Sequence, residues 1–360
     1  MRHILFFLLS MSSLFTATTM AEPIPPHVGE FSFTDSLSYY RTAGNYSTNY
    51  SYPFAVTPND TTGDLLGGGT MSTLTDTLSV SWDALPEIRF NANLSYDYTT
   101  ASSAPTTYNP FGASFNASGV SEFGYGAQYW LRDKRWALVP QISGGVPFYR
   151  NNLSQGGALL GNGATWVEGG GYGILYFYPI ALYGYLGYRY QDSGLAGLMN
   201  MEAGGSYRFN RARLRVGVRG ETAVSDDRDA SNPLLRNALL NSRMAGSFHY
   251  YSVNPTLFDA YAEGDWLFNR MIEAGVGFSQ SVYGMNSAVG WTVTGMIRIR
   301  LPSDAGRSKN LHQDYLKPAI AEPIFEPKGT EQDDIDPTPR GGHKKNIDKM
   351  LNDTEKTLDN

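Results

Sequence analysis

The 360-residue chain has 28 basic and 34 acidic side chains and a formal charge of −6, which argues against nucleic acid as a partner. It contains no cysteine, so disulfide stapling and thiolate metal sites are excluded. Charged residues make up only 17%, while Tyr, Phe and Gly number 24, 18 and 39, a balance that suits strands anchored by aromatics at a lipid interface.

Residues 1–21 read as a signal peptide: Met1-Arg2-His3 is basic, an apolar run from Ile4 reaches Phe15, and Thr19-Met20-Ala21 precedes the break. Pro23, Pro25 and Pro26 stop that run from continuing as a helical anchor. Loss of Arg2 takes the mature charge from −6 to near −7, and no cysteine follows the cut for a lipid anchor. Residues 22–28 form a periplasmic linker. Beyond the signal no apolar run approaches the roughly 18 residues that a helical span requires.

From residue 29 to residue 301 the dominant period is two. It is clearest where Ile88, Phe90, Ala92, Leu94, Tyr96 and Tyr98 alternate with Arg89, Asn91, Asn93, Ser95 and Asp97. A tilted strand needs about 9–11 residues to cross a bilayer, and this one has them.

Twelve strands are predicted. The first, 29–41, turns Phe31, Phe33, Leu37 and Tyr39 to one side, with Asp35 the polar exception; the second, 71–83, carries Leu74, Leu78, Val80 and Trp82. Strands at 87–99, 120–131 and 136–146 follow, the last two with Phe123, Tyr125, Tyr129, Leu131, Trp136, Leu138 and Ile142 outward. Next come 165–177, 181–190 with Leu182, Leu186, Tyr188 and Tyr190, and 198–209 with Met199, Met201, Tyr207 and Phe209. The series ends with 213–222, 259–268, 271–280 and 289–301, each keeping an apolar face such as Trp291, Val293, Ile297, Ile299 and Leu301.

Tight connections near 85, 133, 179, 211 and 269 alternate with longer ones at 42–70, 100–118, 147–164, 223–258 and 281–288, and a shorter one at 191–197. Short periplasmic turns, long extracellular loops and an even strand number describe a transmembrane antiparallel up-and-down β-barrel with both ends in the periplasm. A thirteenth strand over 243–256 would separate those ends and is rejected. In the loop 223–258, Asn232-Pro233 followed by Leu234, Leu235, Ala238 and Leu239 reads as a capped short helix, and 244–253 as an extension of the hairpin above the membrane. A lid, a plug and an ordinary surface loop all fit it. The proline- and charge-rich tail, 302–360, reads as disordered, with apolar spacing for a short helix over 344–358.

If the apolar faces meet lipid, the opposite residues line a lumen. Its cations are Arg89, Arg189, Arg208, Arg213, Arg215, Arg219, Arg298 and Arg300; its anions are Glu87, Asp97, Glu122, Glu168, Glu202, Glu221, Asp259, Glu263, Asp265 and Glu273. Arg213, Arg215 and Arg219 form an arginine rail beside a carboxylate rail, and a two-residue turn at Asn210-Arg211 sets Glu202 opposite Arg219. The constriction expected from this pattern comprises Arg89, Glu202, Arg208, Arg215, Arg219, Glu263, Asp265, Glu273 and Arg298. A salt-bridge network filling the bore is the competing reading. Tyr183, Tyr185 and Tyr261 add aromatic surface to either.

No catalytic residue, metal ligand set or cofactor is predicted. His249 with Ser252 is the one candidate nucleophile–base pair, with no acid or oxyanion motif beside it. Gly67-Gly68-Gly69 and Gly169-Gly170-Gly171 lack the Lys-Ser/Thr of a phosphate loop.

Over 29–301 the chain resembles Gram-negative outer-membrane channels, and its texture is most similar to the outer-membrane transporters grouped under meta-cleavage phenol degradation. That resemblance implies uptake of small organic compounds and carries no site residues with it. The strand at 289–301 departs from many such barrels in lacking a terminal aromatic. The expected function is therefore passive uptake of small polar or amphipathic solutes in the bacterial outer membrane, with lipid and solute as partners. The alternative is a structural protein whose tail binds peptidoglycan or a periplasmic partner.

Overall fold

The computed structural model describes residues 25–45, 70–103, 113–149, 158–231 and 248–301. The signal peptide, the helix expected at 232–239 and the whole 302–360 tail lie outside these residues.

The described chain is one antiparallel sheet closed on itself. Its staves are β1 (Phe31–Asn45), β2 (Thr70–Asp83), β3 (Ile88–Ser103) and β4 (Ala113–Tyr129), with β4 resuming after Trp130 as Leu131–Arg132 in unchanged register against β5 (Trp136–Pro147). Then follow β6 (Trp166–Phe177), β7 (Ile180–Gln191), β8 (Leu198–Phe209), β9 (Ala212–Ala223), β10 (Thr256–Leu267), β11 (Ile272–Met285) and β12 (Ala288–Leu301). Each pairs with its neighbours in sequence, and β1 pairs with β12 from Phe31↔Leu301 onward, so the expected count of twelve holds. A single helical turn, α1 (Phe248–Tyr251), precedes β10.

The wall is inside-out relative to a soluble protein. Phe31, Leu37, Leu78, Leu94, Leu186, Val276 and Ile297 stand exposed, while Thr75, Thr99, Glu202, Arg215 and Glu273 are buried. This is the arrangement hydrocarbon imposes, because closure leaves no sheet edge and lipid solvates the apolar side chains. Aromatic belts lie at both rims. Phe31, Trp82 and Phe90 stack in sequence with 5.9 Å between successive ring centroids near the tight turns, and near the loops Tyr39–Trp291 and Phe258–Tyr283 meet as tilted pairs at 5.5 and 6.1 Å.

The tight turns follow their local chemistry. Asn210 takes a positive φ of 49° in the two-residue β8–β9 turn, and the Asn269 carboxamide oxygen accepts from the amides of Met271 and Ile272. Two sequence boundaries need correction. The connection expected over 281–288 is the two-residue turn Asn286-Ser287, because a bulge turns both Val282 and Tyr283 outward and interrupts the alternation while the strand continues. β4 starts at Ala113 rather than 120; its outward Ser114, Asn116 and Ser118 are polar, as expected where the hairpin stands clear of lipid.

Among the described residues the lipid face carries two carboxylates, not the one noted in the sequence. Asp35 lies opposite Leu78, and Asp76 opposite Leu37 and Tyr96, on adjacent strands. Asp76 is 7% exposed, and one oxygen of each carboxylate is buried without a hydrogen-bond partner. Such groups cost stability wherever hydrocarbon surrounds them. Asp76→Leu is therefore expected to stabilise the barrel by about 1–2 kcal/mol, read from urea unfolding in lipid vesicles. A lowered unfolding midpoint would contradict this account of the face.

Candidate lumenal site

Strand alternation points every second residue of β9 to β12 into the bore, and the register brings their charges together. Arg213 lies opposite Asp265, Arg215 opposite Glu263 and Arg219 opposite Asp259. Arg213 donates to Asp265 at 2.9 and 3.1 Å, and Arg215 reaches Asp265 at 2.9 Å and Glu263 at 3.1 Å. Glu273 is shared among Arg213 at 3.7 Å, Arg298 at 3.4 Å and Arg300. Arg298 also donates to the Thr34 hydroxyl at 3.1 Å, which carries the network across the β12–β1 seam. Arg89 grips Asp83 through both carboxylate oxygens, at 2.5 and 2.9 Å.

A second system faces it. Glu202 accepts from Tyr261 at 2.6 Å and Tyr172 at 3.4 Å, and the hydroxyls of Tyr183 and Tyr261 are 2.7 Å apart. Glu168 accepts from Tyr185, from Asn200 at 2.7 Å and from Arg189 at 2.9 Å. Beneath these polar tips Trp130, Val139, Tyr172, Ile174, Tyr183 and Tyr185 form a buried cluster. The β5–β7 side of the bore is thus packed with side chains, and the open space lies in the remainder.

Two cavities lie in that remainder among the described residues. One, of 240 Å³, is nearer the tight turns; its wall runs from Ser32, Thr34 and Ser36 through Asn91 and Gln128 to Arg213, Arg298 and Arg300. The other, of 250 Å³, is nearer the loops and includes Asp97, Glu122, Arg189, Glu221, His249 and Tyr250. Asn93 and Trp166 belong to both walls and mark a waist. Trp166 donates its indole N–H to Glu122 at 2.8 Å, while the Arg189 guanidinium lies 4.5 Å from its ring centroid.

α1 lies inside the bore rather than extending a hairpin above it. His249 stacks on Tyr40 at 3.8 Å between centroids, and Tyr250 donates to the Thr73 hydroxyl at 3.2 Å. Burial pushes the His249 pKa down to about 4.

The structure brings Arg215, Arg219, Glu263, Asp265, Glu273 and Arg298 into one connected cluster and sets Arg89 apart with Asp83. Glu202 is opposite Arg219 in register, yet its hydrogen bonds come from tyrosines, while Arg219 reaches Glu263 at 3.5 Å and overlies Tyr261. Arg208 is half-buried, level with Arg213. Glu87 is not lumenal; it sits exposed in the β2–β3 turn. Sequence reasoning missed Glu30, Asp83 and Tyr172. The first two lie at strand starts or ends where alternation is short, and Tyr172 follows a glycine run that hides which face it takes.

His27, Glu30 and Asp83 place ligand atoms within 4.8 Å of one another, a grouping no local spacing foretold. Arg89 on Asp83 and Arg300, 3.9 Å from Glu30, already supply cationic charge there. Among the described residues no helix is long and apolar enough to cross a membrane.

No family model matches the chain, and no curated protein matches it. Among solved structures it superposes on an outer-membrane channel from Pseudomonas putida F1 with a TM-score of 0.55 and 11% identity, covering 80% of this chain and 100% of that one. The translocator domain of the autotransporter NalP from Neisseria meningitidis gives a TM-score of 0.43 and 12% identity, covering 77% and 90%. The first likeness is one of fold, and it agrees with the closed transmembrane barrel described above.

Two outcomes are expected. Glu273 is 4% exposed and serves three guanidiniums, so Glu273→Gln should cost about 3 kcal/mol in urea unfolding. An unfolding curve coincident with that of the unmodified protein would remove the network from the account. The depressed pKa of His249 means that α1 docks with a neutral ring: docking is fully favoured above pH 6.5 and weakens as pH falls toward about 4. At pH 5 the loss is about 2 kcal/mol, visible as faster amide exchange in α1 after correction for the intrinsic rate. His249→Phe should abolish that pH difference.

Proposed function

We propose that this protein is a bacterial outer-membrane channel for passive diffusion of small polar or amphipathic solutes through a narrow, charged lumen. The observation that carries the reading is the pair of polar cavities set end to end in the bore and sharing Asn93 and Trp166. A barrel built solely as a scaffold has no need of buried, hydrated space on both sides of a waist, since a small bore can be filled completely with side chains. The ion-pair network on β9 to β12 lines one flank and the Tyr172–Tyr183–Tyr185 packing narrows the other, so passage runs between a charged wall and a hydroxyl-rich one. With the tight turns facing the periplasm, the 240 Å³ cavity is the periplasmic chamber and α1 roofs the extracellular one. Phe31 and Leu301, which begin and end the barrel, then both lie on the periplasmic side.

Kinship with the transporters of meta-cleavage phenol degradation belongs to the same proposal and is supported by the texture of residues 29–301. Planar-bilayer recording is the test. The purified protein is expected to give discrete conductance steps in potassium chloride, and Trp166→Ala, which widens the waist, should raise the unit conductance about twofold or more. Absence of current from both proteins overturns the reading.

A further inference from the structure

The two chambers differ in charge balance. Around the turn-end chamber Arg89, Arg213 and Arg298 each contact a carboxylate, and Arg300 contacts Glu273 and Glu30. The loop-end chamber presents Asp97, Glu122 and Glu221, with Arg189 as the guanidinium in its wall. That guanidinium is engaged by Glu168 at 2.9 Å and laid on the Trp166 ring, so the chamber keeps an excess of negative charge.

Asp97 sharpens the point. It is 1% exposed and belongs to the chamber wall, and its neighbours there are the hydroxyls of Ser121 and Thr75 and the like-charged Glu122 rather than any cation among the described residues. A bulge puts Ser121 and Glu122 on the inner face together, so that a hydroxyl and a second carboxylate both lie beside Asp97. Burying a carboxylate without a countercharge is costly, and a cation held against it removes that cost.

The rest of the wall sets the kind of cation. Leu160, Leu195 and Leu198 give apolar surface, and Trp166 and Tyr250 give aromatic surface. A hydrated metal ion would leave that surface unused, whereas an organic ammonium ion matches carboxylates at one end and rings or methyl groups at the other. The 250 Å³ volume suits a small molecule of this kind.

We infer that the loop-end chamber is a binding site for a small organic ammonium ion, its nitrogen held by Asp97, Glu122 and Glu221 and its apolar body against Trp166 and the leucines. The inference rests on the channel reading for the ligand's route and names the solute class that the bore admits.

Titration calorimetry on the full-length protein in detergent tests it, with 2-phenylethylammonium chloride as ligand and 2-phenylethanol and phenylacetate as neutral and anionic counterparts. The ammonium ion should bind at least about tenfold more tightly than either, and Asp97→Asn and Glu221→Gln should each weaken it about tenfold. Retained heat-shifted mobility on a gel shows that a variant is folded, and if Asp97→Asn does not fold, Glu221→Gln decides. Equal affinity for the three compounds, or folded variants that bind as the unmodified protein does, overturns the inference. Potassium chloride current recorded on the same preparation separates the two ideas. Current without preferential ammonium binding leaves the channel and removes the site, while binding without current keeps the site and removes the channel.

Discussion

Every backbone amide and carbonyl in the hydrocarbon layer must find its partner in the wall, because lipid offers none. The seam between β4 and β5 meets that demand: Glu122↔Pro147 through Gln128↔Gln141 closes the sheet, and Leu131–Arg132 continues the same register beyond Trp130. Once the seam is shut, the two faces of each strand belong to different solvents. Side-chain chemistry then follows residue by residue, with apolar groups exposed outside and carboxylates, guanidiniums and hydroxyls enclosed.

Enclosure changes what those charges are worth. An exposed ion pair contributes little, but a guanidinium such as that of Arg215, 4% exposed, has no cheap alternative to its carboxylates. The network around Asp265 and Glu273 is best understood as mutual solvation: each group supplies the environment that water would otherwise give. The tyrosines around Glu202 and Glu168 do the same with hydroxyls, and their rings fill volume at the same time. One half of the bore is therefore held by charge and the other by packing, and the two cavities lie between them.

How much of this could be read from sequence depended on whether a residue took part in an uninterrupted alternation. The strand count, the outward faces and the opposition of position 202 to position 219 followed from period two and a short turn. The reading failed where the period broke. Val282 and Tyr283 on a bulge made the end of β11 look like loop, and Gly169-Gly170-Gly171 gave no side chains from which to carry the alternation to Tyr172. Asp76, between Leu74 and Leu78, keeps its outward parity, and its polarity alone let it be passed over. Contacts such as Arg300 with Glu30 join the start of the first strand to the end of the last, and no local spacing can announce them. The place of α1 against Tyr40 and Thr73 is likewise set by tertiary packing rather than by any period in its loop.

The strict two-face wall also makes this chain a ruler for chemical access. Because it has no native thiol, a cysteine placed anywhere in a stave would be its sole reactive sulfur. Away from the bulges, odd and even positions of one strand would then answer to different reagents: a charged maleimide entering with water on one parity, a lipid-soluble one on the other.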